Sequence, residues 1–247
     1  MLRGLSSIFA LLCMGISILW TAFIALLCGP AFQINRSLGH FFHRLWGKGI
    51  LTIMGIHVTH LDLEKLSLQG GYVIAPNHQS NFDIFVLAAL PIEFRWVSKV
   101  QVGRLPFVGW VMRSMGNYFL YRDRSPRDLT IMKAVEDDLR RGERVVTFPE
   151  GTRTRTGELL PFKKGAFRTA QNAGVPLLPI AIRGTWAIAP PGKWPTRNHC
   201  VTVRVGDPFP IACGEELNES MERYRVVLTK LLESTVTSCS QKPGRMV

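Results

Sequence analysis

His78 and Asp83 stand five positions apart in the run Asn77-His78-Gln79-Ser80-Asn81-Phe82-Asp83, and together they could move a proton. An imidazole has an unperturbed pKa of about 6.5, so its neutral form can take a proton near neutral pH. A carboxylate on its second ring nitrogen fixes the tautomer and stabilises the imidazolium that forms. The spacing alone also fits a plainer arrangement, in which Asp83 caps a helix and His78 is a polar loop residue. No Gly-x-Ser-x-Gly nucleophile elbow is present, and Ser80 is too near His78 in sequence to be a confident partner. The simplest chemistry is therefore general-base activation of a substrate hydroxyl, without a covalent intermediate.

A second constellation is Phe148-Pro149-Glu150-Gly151-Thr152-Arg153-Thr154-Arg155. Gly151 permits an unusual backbone, and the Arg153 guanidinium can grip a phosphate through two parallel hydrogen bonds. Thr152 and free backbone amides can add to that grip. A polar surface turn would carry the same residues. Further cations, Lys99, Arg122, Lys163 and Lys164, follow strands or sit in loops. Each alone is explained by solvation, but together they suggest a positive basin for an anionic substrate. Val175-Pro176-Leu177-Leu178-Pro179-Ile180 is an apolar strand, and its second proline implies an edge or an opening there.

These residues need elements to hold them. Tyr72 to Ala75 reads as a strand that delivers His78 to its end, followed by a helix from Asp83 to Leu90. Phe94–Lys99 and Tyr118–Tyr121 are strand candidates around a short Phe107–Met115 helix closed by Gly116. Ser125, Pro126 and Asp128 mark a helix start, with Leu129, Met132, Val135 and Leu139 as its buried stripe and Gly142 as its end. Arg144–Phe148 is a strand that leads into Glu150, and Lys164–Ala173 is a helix ended by Gly174. Strands at Val175–Ile182 and Val201–Val205 and a helix at Asn218–Glu233 complete the pattern, and the tail from residue 235 is expected to be disordered. Such alternation predicts an α/β fold, a mostly parallel central sheet flanked by helices, with ligands bound beyond the strand ends. Both His78 and the Glu150–Arg153 turn fall there.

The first 54 residues differ. Gly4 to Asn35 carries no charged side chain. That run exceeds the roughly 7–15-residue core of a signal peptide and approaches the ~20 residues that span a bilayer. A helix from Leu5 to Cys28, interrupted by Gly29-Pro30, would be followed by an amphipathic one over 31–54. In the second, Arg36, His40, His43, Arg44 and Lys48 share one side, and Ile34, Leu38, Phe41, Phe42 and Leu45 the other. The expectation is a two-helix membrane anchor whose basic face meets the headgroups. Residues 55–234 would form the catalytic domain. The chain has 30 Lys+Arg against 18 Asp+Glu, a formal charge of +12, which suits an anionic partner. The apolar N-terminus favours a membrane surface over nucleic acid. Five cysteines without Cys-x-x-Cys pairs predict neither a disulfide framework nor a zinc site, and a reduced, cytosol-facing domain.

Between Gly71 and Gly206 the chain resembles the glycerolipid acyltransferases that include 1-acylglycerol-3-phosphate O-acyltransferases. Asn77-His78 through Asp83 matches the first motif of that family, Asn-His-x4-Asp. Gly116-Asn-Tyr-Phe-Leu-Tyr-Arg122 matches the second, Phe148-Pro-Glu-Gly-Thr-Arg153 the third, and Val175-Pro-Leu-Leu-Pro179-Ile180 the fourth. The resemblance implies that His78 is the general base and that Asp83 orients it. Arg153, Arg122 and Lys99 would hold the acceptor phosphate, with Thr152 and Gly151 beside them, Glu150 would order the site or touch the glycerol, and Pro179 would shape the acyl-donor side. It implies lysophosphatidic acid as acceptor, acyl-CoA or acyl-carrier protein as donor, phosphatidic acid as product, and no metal or bound cofactor. Relatives with the same blocks acylate other lysophospholipids, lyso-aminolipids or glycerol 3-phosphate. A non-catalytic basic membrane-binding protein would explain the charge and the anchor, but not the His/Asp pair and the Gly-Thr-Arg turn at strand ends. A thioesterase or lipase would need water as acceptor or a nucleophilic serine.

Overall fold

The computed structural model describes residues 2–67, 69–123, 125–190 and 195–235, with side chains from Leu12 onward. The tail beyond Thr235, including Cys239, lies outside the described residues, so the expectation of disorder there has no counterpart in the fold. The chain begins with two helices, α1 (Leu2–Ile34) and α2 (Arg36–Ile53). The break expected at Gly29-Pro30 falls instead at Asn35. Pro30 sits inside α1, and a proline removes only one helical donor there. Asn35 adopts an extended backbone, and its side chain accepts from the amides of Ser37 and Leu38, which starts a new helix.

The remainder alternates. β1 (His57–Leu61) and a 3-10 turn (Leu63–Ser67) lead to β2 (Tyr72–Pro76), α3 (Phe82–Ala88), β3 (Arg95–Lys99), α4 (Val100–Gly103), α5 (Val108–Ser114) and β4 (Tyr118–Leu120). Then come α6 (Pro126–Arg140), β5 (Arg144–Val146), α7 (Lys164–Ala173), β6 (Leu177–Arg183), α8 (Thr185–Ile188), β7 (Cys200–Val205) and α9 (Leu217–Ser234). One seven-stranded sheet has the order β1-β7-β6-β2-β5-β3-β4. Every pairing is parallel except β6 with β7. β2 and β6 are buried on both faces, as interior parallel strands should be. Alternation along β2 sends Tyr72 and Ile74 to one core and Val73 and Ala75 to the other. The first core is closed by α3 and the N-terminal helices. The second is closed by α6, α7 and α9, through Leu139, Phe167 and Tyr224.

Several expectations change. Leu129 is 71% exposed, and the α6 stripe is carried by Val135 and Leu139. At about 100° per residue, Leu129 lies roughly 80° round the helix from Leu139, on the rim of the face. Ser125 occupies the N-cap position without a side-chain bond to the helix, while Asp128 accepts the amides of Tyr121 and Arg122. Pro179 is buried in β6, an interior strand rather than an edge. Its missing N–H is tolerated because β7 ends at Val205 and Gly206 donates to the Pro179 carbonyl, so the antiparallel ladder opens there. β1, in the polar run His-Val-Thr-His-Leu, was not legible as a strand, because an edge strand with little burial has no apolar period.

A further change concerns α2, where Arg36, His40 and His43 of the polar side face the protein while Lys48 stays exposed. His40 and His43 are buried, and the Arg36 guanidinium makes a paired contact with the Glu143 carboxylate. His40 Nε2 lies 3.8 Å from Glu93. Burial pushes the two imidazoles down, to about 4 for His40 and about 3 for His43, so neither carries charge at neutral pH. The apolar side points outward instead, with Leu38 40% and Phe41 55% exposed, beside Ile34 at the end of α1, 78% exposed. Glu143 of the α/β domain supplies the partner of Arg36 on the polar face, and on the apolar one Leu38 and Phe41 stay exposed while Phe42 and Leu45 are half-buried. Exposed Ile18, Leu19, Phe23 and Leu26 extend that surface along α1. Over Leu12–Ile34, α1 is long and apolar enough to cross a membrane.

Candidate active site

β2 ends at Pro76, and the Asn77 side chain anchors the loop that leads to α3. Its carboxamide donates to the Ile182 carbonyl at 2.8 Å and accepts the Ile182 amide at 2.8 Å, which locks the loop to the end of β6. His78 Nδ1 then lies 2.9 Å from Asp83 Oδ2. The same oxygen accepts the amides of Gln79 (2.7 Å) and Ser80 (2.8 Å). Asp83 therefore holds the loop amides ahead of α3 as well as the imidazole, but it does not cap the helix, whose N-cap position is Asn81. With Nδ1–H donating to a carboxylate that meets only donors, Nε2 carries the free lone pair. The ring also stacks on Phe148, with centroids 3.7 Å apart and planes 14° apart.

The second block meets the first directly. Glu150 is buried, and its oxygens accept the His78 amide at 2.6 Å and the Leu160 amide at 2.8 Å. Burial pushes the Glu150 carboxyl up to about 7, against the pull of those two amides. The Thr154 amide donates to the His78 carbonyl at 3.0 Å. Gly151 has φ +67°, a left-handed backbone that favours glycine, and a Cβ there would stand 2.9 Å from the flexible Lys163 side chain. Arg122, itself at φ +64°, donates from Nη1 to the Gly151 carbonyl at 2.9 Å and so ties the second motif to the third. Desolvation lowers the Arg122 guanidinium from its usual range.

A cavity of about 560 Å³ opens in front of this assembly. His78, Lys99, Arg122, Gly151, Thr152 and Arg153 line its polar end. The Lys99 and Arg153 side chains are exposed and make no hydrogen bond or ion pair with the described residues, so both are free to meet an anion. Asp83 and Glu150 stand behind the surface, and Pro179 lies in the β6 core, away from the lining. The apolar end comes from elements far away in sequence: Ile24 and Ala25 of α1, Trp46 of α2, Phe85 of α3, and Val111 and Met112 of α5. The N-terminal helices thus supply a wall of the cavity. Sequence reasoning missed this wall, the Phe148 stack and a buried hydroxyl on Asp83, that of Thr185. Only the Phe148 stack had a local signal, two positions before Glu150.

The arrangement can accept a proton at His78 Nε2 beside a cationic end and an apolar end. Comparison with known proteins places the chain in a family. A family profile described as Acyltransferase matches residues 57–183. The chain is 34% identical over 204 residues to the chloroplastic 1-acyl-sn-glycerol-3-phosphate acyltransferase BAT2 of Brassica napus, covering 79% of this chain and 58% of that one. It is 34% identical over 161 residues to 1-acyl-sn-glycerol-3-phosphate acyltransferase of Saccharomyces cerevisiae, covering 64% and 53%. The chain spans a little over half the length of these curated relatives. The crystal structure of the 1-acyl-sn-glycerophosphate (LPA) acyltransferase PlsC from Thermotoga maritima superposes with a TM-score of 0.81 at 23% identity, over 96% of this chain and 98% of that one, which is a likeness of fold. The matched segment takes in all four motifs, from Asn77 to Ile180, and the chain belongs to the Acyltransferase family.

Proposed function

We propose that this chain moves a fatty acyl group from a thioester, acyl-CoA or acyl-carrier protein, to the 2-hydroxyl of 1-acyl-sn-glycerol 3-phosphate, giving phosphatidic acid. One observation carries the reading: His78, held through Nδ1 by Asp83, shares a cavity with Lys99 and Arg153, two cations without a partner among the described residues. His78 Nε2 removes the proton of the hydroxyl as its oxygen attacks the thioester carbonyl carbon. The tetrahedral adduct then expels the sulfur, the imidazolium returns the proton to the leaving thiolate, and an ester replaces the thioester. Arg153, Lys99 and Arg122 hold the phosphate, with Thr152 and Gly151 at its edge. Glu150 acts through the His78 amide as an ordering carboxylate, Pro179 supports the strand behind the site, and the apolar end takes acyl chain. The curated relatives named above as acting on 1-acyl-sn-glycerol 3-phosphate favour that acceptor over other lysolipids.

The outward apolar face of α1 and α2 is suited to burial in one leaflet, which brings the cavity wall to the lipid. The net charge of +12 suits an anionic surface, and we place the protein on the cytoplasmic face of the inner membrane. The test is transfer by purified protein and by His78→Ala, with several lysolipid acceptors and both donors. The variant should lose at least about a hundredfold in rate with lipid binding intact. Retained transfer would reject the mechanism, and thioester consumption without a lysolipid would point to hydrolysis.

A further inference from the structure

We infer that Thr185 is a positioning residue for the His78–Asp83 pair, an inference that rests on the function proposed above. Asp83 is fully buried. Three donors crowd its Oδ2: His78 Nδ1 and the amides of Gln79 and Ser80. Its Oδ1 has one partner among the described residues, the Thr185 hydroxyl, which donates at 2.5 Å. Thr185 is itself fully buried. It lies about a hundred positions further along the chain, at the start of α8, and no motif carries it.

The backbone is shaped to deliver that hydroxyl. β6 ends at Arg183, and Gly184 comes next at φ +101°, where a Cβ would stand 2.4 Å from the Cys200 carbonyl. That turn needs glycine, and it places Thr185 beneath α3. Asn77 ties the same strand end to the His78 loop through Ile182, so the base, its carboxylate and the hydroxyl are held as one unit.

The consequence concerns the tautomer. A buried carboxylate oxygen without a donor is costly, and protonation or rotation of the group would relieve it. A protonated Asp83 would present O–H to Nδ1 and leave the imidazole proton on Nε2, where no base would face the hydroxyl. Rotation would break the bonds to Gln79 and Ser80. Thr185 closes both routes while touching no substrate.

The test compares Thr185→Val, Thr185→Ser and Thr185→Ala by steady-state kinetics and by 15N NMR of histidine-labelled protein, with the His78 signals assigned from their loss in His78→Ala. Val and Ala should lower kcat about tenfold or more with acceptor KM nearly unchanged, and should shift His78 toward the Nε2–H form. Ser should restore both. A folded Val or Ala variant with wild-type kcat and an Nδ1–H imidazole would overturn the inference, as would a Ser variant no better than Ala. If Val does not fold, the Ser and Ala pair decides. If the wild type transfers no acyl group, the proposed function fails, and the NMR comparison still tests Thr185.

Discussion

Replacing Glu150 by Gln isolates the carboxylate that joins the two motifs. Glu150 is only 2% exposed, and burial raises its carboxyl from 4.5 to about 7, with Asp83 adding in the same direction. That rise corresponds to roughly 3 kcal/mol between the neutral and ionised forms. The folded protein holds this proton more tightly than the unfolded chain does. The stability it contributes is therefore full below pH 4.5 and is lost as pH rises through about 7. Gln cannot ionise, so it removes that slope. It keeps one acceptor but turns an NH2 toward the amide of His78 or Leu160, at a cost of about 1–3 kcal/mol at every pH. The variant should be less stable than wild type at pH 5, and between pH 5 and pH 8 it should gain on wild type by roughly 3 kcal/mol. Equilibrium urea unfolding followed by tryptophan fluorescence, in one detergent at both pH values, measures the difference. Parallel pH dependences for the two proteins would refute the argument.

Arg153→Ala should raise the KM for a phosphorylated acceptor about ten- to a hundredfold through loss of a charge-assisted contact, and an unchanged KM would remove Arg153 from phosphate binding. Gly151→Ala puts a side chain at φ +67° against Lys163 and should cost about 1–2 kcal/mol in unfolding experiments, with a raised acceptor KM because the Arg122 contact to the Gly151 carbonyl is displaced. Leu38→Glu combined with Phe41→Glu changes side chains that face away from the protein. Vesicle flotation should show weakened binding with the unfolding midpoint in detergent nearly unchanged, whereas undiminished flotation would mean that this face does not meet the bilayer.

Local chemistry in the sequence determined a good deal. The α7 boundaries, Lys164 to Ala173 with Gly174 left-handed behind them, come from residue types alone, because a glycine C-cap is a local event. The delivery of His78 by β2, and its pairing with Asp83 across one turn, were legible because strand, loop and helix start lie within twelve residues, 72–83. What was not legible depends on contacts between distant segments. Helical periodicity sorted α2 into a polar and an apolar side, yet could not say which side meets the protein. That was decided by Glu93 and Glu143, whose carboxylates meet the Arg36 guanidinium on the inner side. Pro179 was consistent with an edge until the sheet order placed β6 in its interior, beside the point where β7 departs. The apolar wall from Ile24 and Trp46, and the Thr185 hydroxyl on Asp83, join residues that no spacing rule connects. Periodicity and capping act over a few residues, whereas which faces and hydroxyls meet is fixed only when the sheet closes and every buried polar atom must find a partner.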